Sequence, residues 1–329
     1  MGLLNNNAHV FHASPVGMLV ESSVAAKLAE LAGFPAQTAG LTFPGGSYAN
    51  MHALMTARNR RFPEIKHKGL YALSGVRPVV FTSRHSHYSI DKAAMAAGIG
   101  LDGVIHVPTD STGSMRVAEL RRMMQHAIDS GQTPFFVNAT MGTTVLGACD
   151  PLEDIAAVCK EYSVWLHVDG SWGGPLALFA ESPDMAPTFV MPHGRVDSMS
   201  VNPHKLLGVP LQCSFLLVRE GLDVMRQALG LNASYLFHSE GSDGEESQPG
   251  EGNLDVGDAT LGCGRRPDAL KFWLMWRYYG TRYFINRVSH ARPQMVDGFW
   301  LLNHPVPASA FGLFRDNSLR KSVTIHGVK

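Results

Sequence analysis

Four short stretches of this chain carry residues whose chemistry could converge on one small molecule. Lys205 closes the run NPHK, Asp169 ends the run WLHVDG, His87 lies in SRHSHYS, and Gly46 and Ser47 lie in PGGSYAN. A lysine in a desolvated site loses its proton readily and can form a Schiff base with an aldehyde. An aspartate at the end of a bulky apolar run is partly buried, where an unpaired charge is costly, so it needs a cationic or N–H partner. A histidine just after a strand offers a flat ring or a proton carrier. Two glycines and a serine at a helix start put backbone N–H groups at the positive end of the helix dipole, which suits an anion. Taken singly, each has an ordinary reading: a solvated lysine, a backbone cap, a loop histidine and a plain turn.

Taken in order, the four make up the parts of a pyridoxal 5′-phosphate (PLP) site. The cradle takes the phosphate, the histidine stacks, the aspartate holds the proton on a pyridinium nitrogen, and the lysine meets the aldehyde. Lys205 lies 36 residues after Asp169.

These residues need a scaffold, and the hydrophobic pattern supplies one. Residues 21–33 repeat apolar side chains at helical spacing and end on Gly33. A glycine turn at Pro44 leads into an amphipathic helix. Strands are expected at 77–83, 133–140 and 163–170, with strand-like pieces at 197–205 and 213–220, and helices at 87–98 and 152–162. Alternating strands and helices predict an α/β fold with a mostly parallel sheet. Function collects at the carboxyl ends of such strands, where Thr140, Asp169 and Lys205 fall. The acidic, glycine-rich stretch 238–259 reads as a mobile surface loop.

Composition excludes several classes. The formal net charge is zero, so no basic face is expected for nucleic acid. The four cysteines, Cys149, Cys159, Cys213 and Cys263, form no CxxC pair, which argues against zinc or a disulfide framework and suits a reducing compartment. The N-terminus has no basic region followed by an apolar run, and Asn6 stands where a myristoylation motif wants Ser or Thr. With no apolar run of bilayer length, a cytoplasmic chain without membrane or metal partners is the expectation.

The chain resembles the group II PLP-dependent amino-acid decarboxylases, and most closely their glutamate decarboxylase and cysteine sulfinate decarboxylase branch. The resemblance rests on GLTFPGGSYANMHALMTAR, FTSRHSHYSIDKAA, NATMGTTVLGACDPLEDIAAVC, WLHVDGSWGG, NPHKLLGVPLQCS and CGRRPDALKFWLMW, and runs from about residue 5 to 290. It implies a fold type I large domain over 1–290, with an atypical tail over 291–329 in place of most of a small C-terminal domain. It implies PLP on Lys205, Asp169 at the pyridine nitrogen and His87 stacked on the ring. Gly46, Ser47 and Asn202 would bind phosphate, Thr140 would lie beside ring and substrate, and His204 would serve phosphate or a proton transfer. The substrate implied is an acidic amino acid, decarboxylated by a homodimer. Leu206 follows the lysine where the aromatic branch favours tryptophan, and PLQCS resembles the acidic branch, so an aromatic substrate is the weaker rival; a PLP-binding remnant without turnover is the second.

Three departures carry expectations of their own. Family members are longer at both ends, so the resemblance implies a chain truncated at both ends with a weakened dimer. The family's basic group for the substrate carboxylate has no counterpart in the tail. The stretch 238–259 lacks the tyrosine that protonates the substrate carbon, which implies amine formation slow against side reactions.

Overall fold

The computed structural model of the protein describes residues 5–179, 195–231 and 255–296. Its elements run α1 (Pro15–Leu31), β1 (Ala39–Phe43), α2 (Gly46–Arg61), the single turn α3 (Ile65–Lys68), β2 (Arg77–Ser83), α4 (Ser89–Ala96), β3 (Val104–Val107) and α5 (Val117–Asp129). They continue with β4 (Gln132–Thr140), α6 (Leu152–Tyr162), β5 (Trp165–Gly170), α7 (Gly174–Phe179), β6 (Ser198–Val201), β7 (Ser214–Val218), α8 (Asp223–Leu229) and α9 (Ala269–Val296).

The strands form one sheet in the order β1-β7-β6-β5-β4-β2-β3. Pairing is parallel from β6 through β5, β4 and β2 to β3, and antiparallel on both sides of β7. Six strands therefore share a direction and β7 alone is reversed, so the expected α/β fold with a mostly parallel sheet is what forms. Helices cover both faces, as a sheet with parallel crossovers requires.

The period-two alternation of the strands sorts their side chains cleanly. On β5, Leu166 and Val168 join a core with Val137, Ala139, Met199, Leu28 and Phe272. Trp165 goes to the opposite face, in a second core with Phe136, Leu54 and Ile90. Further along that face, toward the carboxyl ends, the apolar residues give way to buried polar ones. Asn138, His167 and Ser198 lie opposite one another, and Thr140, Asp169 and Ser200 form the next row.

Most expected elements stand where the pattern put them. The first helix starts earlier, at Pro15, because proline suits the first helical position, and Gly33 follows its end with φ +72°. Strands β1 and β3, of five and four residues, and the amphipathic α5 were not anticipated. The stretch 238–259 needs a correction at its end. Asp255, Val256 and Ala259 are buried, and Asp255 accepts a hydrogen bond from the Phe11 N–H at 2.7 Å. Two apolar side chains and one anchored carboxylate are enough to fix this part; the rest of the stretch, 238–254, lies outside the described residues.

One buried ion pair locks the N-terminal segment to the sheet. Glu21 on α1 accepts from the Thr42 N–H of β1 at 2.7 Å and from Arg265 at 2.6 Å. Arg265 also donates to the carbonyls of Ala8 at 2.5 Å and Thr42 at 3.1 Å. Replacing Arg265 with alanine leaves the Glu21 carboxylate without its counter-charge. We expect Arg265→Ala to lower unfolding stability by roughly 3–5 kcal/mol, the usual cost of removing one partner of a buried pair, read from a denaturant melt.

Candidate active site

The residues proposed from sequence come together. Gly46, Ser47, His87, Thr140, Asp169, Asn202, His204 and Lys205 all line one cavity of about 210 Å³ at the carboxyl ends of β4, β5 and β6. Chain order explains how. Thr140 and Asp169 are register partners on β4 and β5, and Asn202 follows the last residue of β6. The segment after β6 turns tightly, with the Lys205 N–H bonded to the Asn202 carbonyl at 2.9 Å, which brings the lysine back over the strand ends. A larger cavity of about 470 Å³ lies at the other end of the sheet; its Arg60 and Arg219 pair with Glu220 and Asp197.

Asp169 is fully enclosed, and burial pushes its pKa up. The Ser171 contact, the Lys205 charge and the Asn50 amide more than offset burial and hold it below the ordinary carboxylate range. The Ser171 N–H donates to Oδ1 at 3.0 Å and the Asn50 amide to Oδ2 at 2.8 Å. Lys205 moves the other way. Burial lowers its pKa against the pull of Asp169, and its Nζ sits 4.8 Å from the centre of the Trp172 ring. His87 is lowered chiefly by burial, so it is neutral at pH 7, and its Nδ1 accepts the Ser89 N–H at 3.2 Å. His204 is lowered by burial too, and its Nδ1 lies against the Cys213 backbone, 2.7 Å from the carbonyl oxygen and 3.0 Å from the N–H.

The cradle at α2 is built for an anion. Gly45 adopts φ +101°, a region that favours glycine, and the first turn of α2 has no side-chain cap. At Gly46 an added Cβ would meet Ser171 Oγ at 2.6 Å and Asn202 Nδ2 at 2.7 Å. These residues fit pyridoxal phosphate. Buried Thr140 Oγ1 and Asn202 Oδ1 have no hydrogen-bond partner among the described residues, and both line the cavity. They are polar atoms held ready for a ligand.

Sequence reasoning missed Asn50, Ser171, Trp172 and Asp150. Asn50 lies one helical turn after Gly46 and so shares its face. Asp150 is buried and fixes Thr140: its oxygens accept the Thr140 and Met115 N–H groups, each at 2.7 Å. Burial outweighs these bonds and pushes its pKa up to about 6.

An α/β sheet whose strand ends carry a held anion, a desolvated amine and an uncapped helix start defines a protein that takes a flat, phosphorylated carbonyl cofactor. Comparison with known proteins identifies the family. Residues 2–296 match the pyridoxal-dependent decarboxylase conserved domain, and the chain belongs to that family. It is 41% identical over 292 residues to the L-aspartate decarboxylase dtxS4 of Metarhizium robertsii, covering 88% of this chain and 55% of the relative. It is 39% identical over 329 residues to the human acidic amino acid decarboxylase GADL1, covering 97% and 60%. Among solved structures it superposes on mouse CSAD with TM-score 0.78 at 39% identity, covering 88% of this chain and 57% of that one. The rice TDC structure with PLP and tryptamine follows at TM-score 0.75 and 27% identity, covering 87% and 57%. The chain thus spans a little over half the length of these relatives. The fold is the fold type I large-domain arrangement of the group II decarboxylases.

Two tests follow from this geometry. Gly46→Ala should fold but weaken PLP uptake by ~10-fold or more, because its methyl fills the anion cradle; equilibrium dialysis reads the change. Asp150 sets a pH dependence of stability. Its folded pKa is raised, so its contribution is fully present below the ordinary aspartate pKa and is lost as pH rises through about 6. The stability of the parent relative to Asp150→Asn should therefore fall as the pH of the melts is raised from 4 to 7.

Proposed function

We propose that this chain is the cofactor-binding part of a PLP-dependent decarboxylase that removes carbon dioxide from an acidic amino acid such as aspartate, glutamate or cysteine sulfinate. The observation that carries the reading is the joint placement of ionised Asp169, deprotonation-prone Lys205 and the open α2 N-terminus around one cavity. The acidic substrate is supported by identities of 38–41% to relatives described as acidic amino acid or L-aspartate decarboxylases, against 27% to the rice TDC. A homodimer and a cytoplasmic location belong to this proposal. No helix among the described residues is long and apolar enough to cross a membrane.

Pyridoxal phosphate supplies a carbonyl for the amines and a ring that accepts the electrons left when carbon dioxide departs. The backbone N–H groups of Gly46 and Ser47, with Asn202, hold the phosphate at the positive end of α2. Asp169 accepts the proton-bearing ring nitrogen and keeps that proton in place, a charge effect that grows in an enclosed site. His87, a neutral flat ring lining the cavity, would be placed to stack on the cofactor ring without adding a second positive charge. Lys205 would be the amine that holds the cofactor, and burial lowers its pKa and so favours the free amine that carbonyl chemistry needs. The Thr140 hydroxyl gains the partner it lacks, and His204 stands beside Lys205 as a candidate for phosphate or proton contact. The tyrosine question raised by 238–259 falls mainly on 238–254, outside the described residues.

The test is chemical. Borohydride reduction of the yellow protein and peptide mapping should place the pyridoxyl group on Lys205, and labelled aspartate, glutamate or cysteine sulfinate should release carbon dioxide. A label on another lysine would overturn the site. Colour without carbon dioxide from any of the three would leave a PLP-binding remnant, and faster release from an aromatic amino acid would move the substrate class.

A further inference from the structure

Asp169 does not end its hydrogen bonding at Asn50. A carboxylate only accepts, so the Asn50 group at 2.8 Å from Oδ2 must be its NH2, which also donates to Ser89 Oγ at 3.0 Å. The Asn50 carbonyl oxygen then points the other way, 3.0 Å from His167 Nε2 and 2.8 Å from Ser200 Oγ. An amide oxygen only accepts, so His167 must carry its proton on Nε2. Its Nδ1 is left as an acceptor, 2.9 Å from Ser198 Oγ, and Ser198 in turn takes the indole N–H of Trp165 at 2.9 Å. Every orientation in this chain follows from the first link. Burial lowers His167 to about 4, so the ring is neutral at pH 7, and it stacks against Phe136 at 5.8 Å.

We propose that His167 and Asn50 are positioning residues for Asp169: a one-way chain of hydrogen bonds from Trp165 through Ser198, His167 and Asn50 holds its carboxylate in the orientation that meets the cofactor. The proposal rests on the reading that Asp169 serves the pyridine nitrogen. Asn50 could rotate its amide by half a turn at little steric cost, and would then present its oxygen to the carboxylate and repel it. The rotated amide would turn its NH2 toward His167 Nε2, so the rotation also requires the ring to shift its proton to Nδ1; the Ser200 hydroxyl, which can donate or accept and also lies 3.3 Å from Asp169 Oδ1, suits either orientation. The chain thus sets an orientation as well as filling space.

Two measurements test it. Nitrogen-15 spectra of the cofactor-free protein, with His167 assigned by the signal lost in His167→Gln, should show a neutral ring protonated on Nε2 at pH 7. In the second, His167→Gln is compared with His167→Asn. A glutamine amide reaches as far as Nε2 and can still donate to Asn50; an asparagine amide reaches only the Nδ1 position. Asparagine also removes one methylene more than glutamine at this buried position, so the affinity difference is read together with the tautomer, which carries the decision. We expect His167→Gln to bind PLP within ~2-fold of the parent and His167→Asn to bind ~10-fold more weakly in equilibrium dialysis, about the worth of one hydrogen bond to a charged network. An Nδ1–H tautomer, a charged ring at pH 7, or equal PLP affinity of the two variants would overturn the proposal. If the parent takes up no PLP, the functional reading falls instead. In that case, or if His167→Asn does not fold, the tautomer in the unaltered chain decides whether Asp169 is oriented this way.

Discussion

A carboxylate fully enclosed by protein yet held ionised is the constraint on which the site depends. Removing a carboxylate from water costs several kcal/mol even after relaxation, so the fold must bring donors to it. Asp169 receives them from two directions: the Ser171 N–H from the turn just after β5, and the Asn50 amide from α2. The second requirement fixes the course of α2. The helix must cross the sheet close enough for Asn50 to reach β5, and its first turn then lies at the strand ends. Gly45 at φ +101° makes that entry, and Gly46 lets the helix start lie against Ser171 and Asn202. The anion cradle and the support of Asp169 are consequences of the same helix placement.

The sheet face under α2 changes character along its length. At the amino-terminal end Phe136 and Trp165 pack in a dry core, while two and four residues further on the same face carries Asn138 and Thr140 on β4, and His167 and Asp169 on β5. Buried polar rows are costly unless paired, and this one is largely paired within itself: Asn138 donates to Thr82 at 3.0 Å, His167 bridges Ser198 and Asn50, and Ser200 donates to Asn50. Among the described residues, the unpartnered atoms at its cavity end are Thr140 Oγ1 and Asn202 Oδ1. Rigidity comes from the paired part and binding capacity from the part left open.

Much of this was legible in the sequence because it is periodic or local. The strands 77–83 and 133–140 and the helix 152–162 carry unbroken patterns and match the structure to within a residue. Of the eight residues expected at the site, Gly46, Ser47, His87, Thr140, Asp169 and Lys205 stood out because each sits beside a strand end or helix start, while Asn202 and His204 came only from the family resemblance; all eight line the one cavity. What escaped depends on direction or distance. Nothing in SFLLV distinguishes a parallel strand from the antiparallel β7. The Asn50–Asp169 bond spans 119 residues. His167 was within reach, since it lies two residues before Asp169 and period two puts it on the same face; the apolar residues around it made WLHVDG look like plain core. At 255–259 glycine and acid suggested exposure, while two small apolar side chains and one anchored aspartate bury the end of the stretch.

The two ionisable groups at the centre of the cavity respond oppositely to the same enclosure. Burial alone favours the neutral form of each, raising the acid and lowering the amine. Only Asp169 has enough N–H donors to reverse that tendency. Lys205 has the field of Asp169 and the face of Trp172, and neither restores the ordinary ammonium. A cation over an aromatic face gains about 0.5–2 kcal/mol, less than the water it gives up. The outcome is an anion that stays charged beside an amine that gives up its proton easily. A lysine with a carboxylate at hydrogen-bond distance would be held as an ammonium, and an aspartate without the Asn50 and Ser171 donors would be pushed by burial toward its neutral form. The opposite shifts of the two neighbouring buried groups follow from their unequal supply of hydrogen-bond donors, with Asp169 on a strand beneath a helix and Lys205 on the turn beyond the strand end.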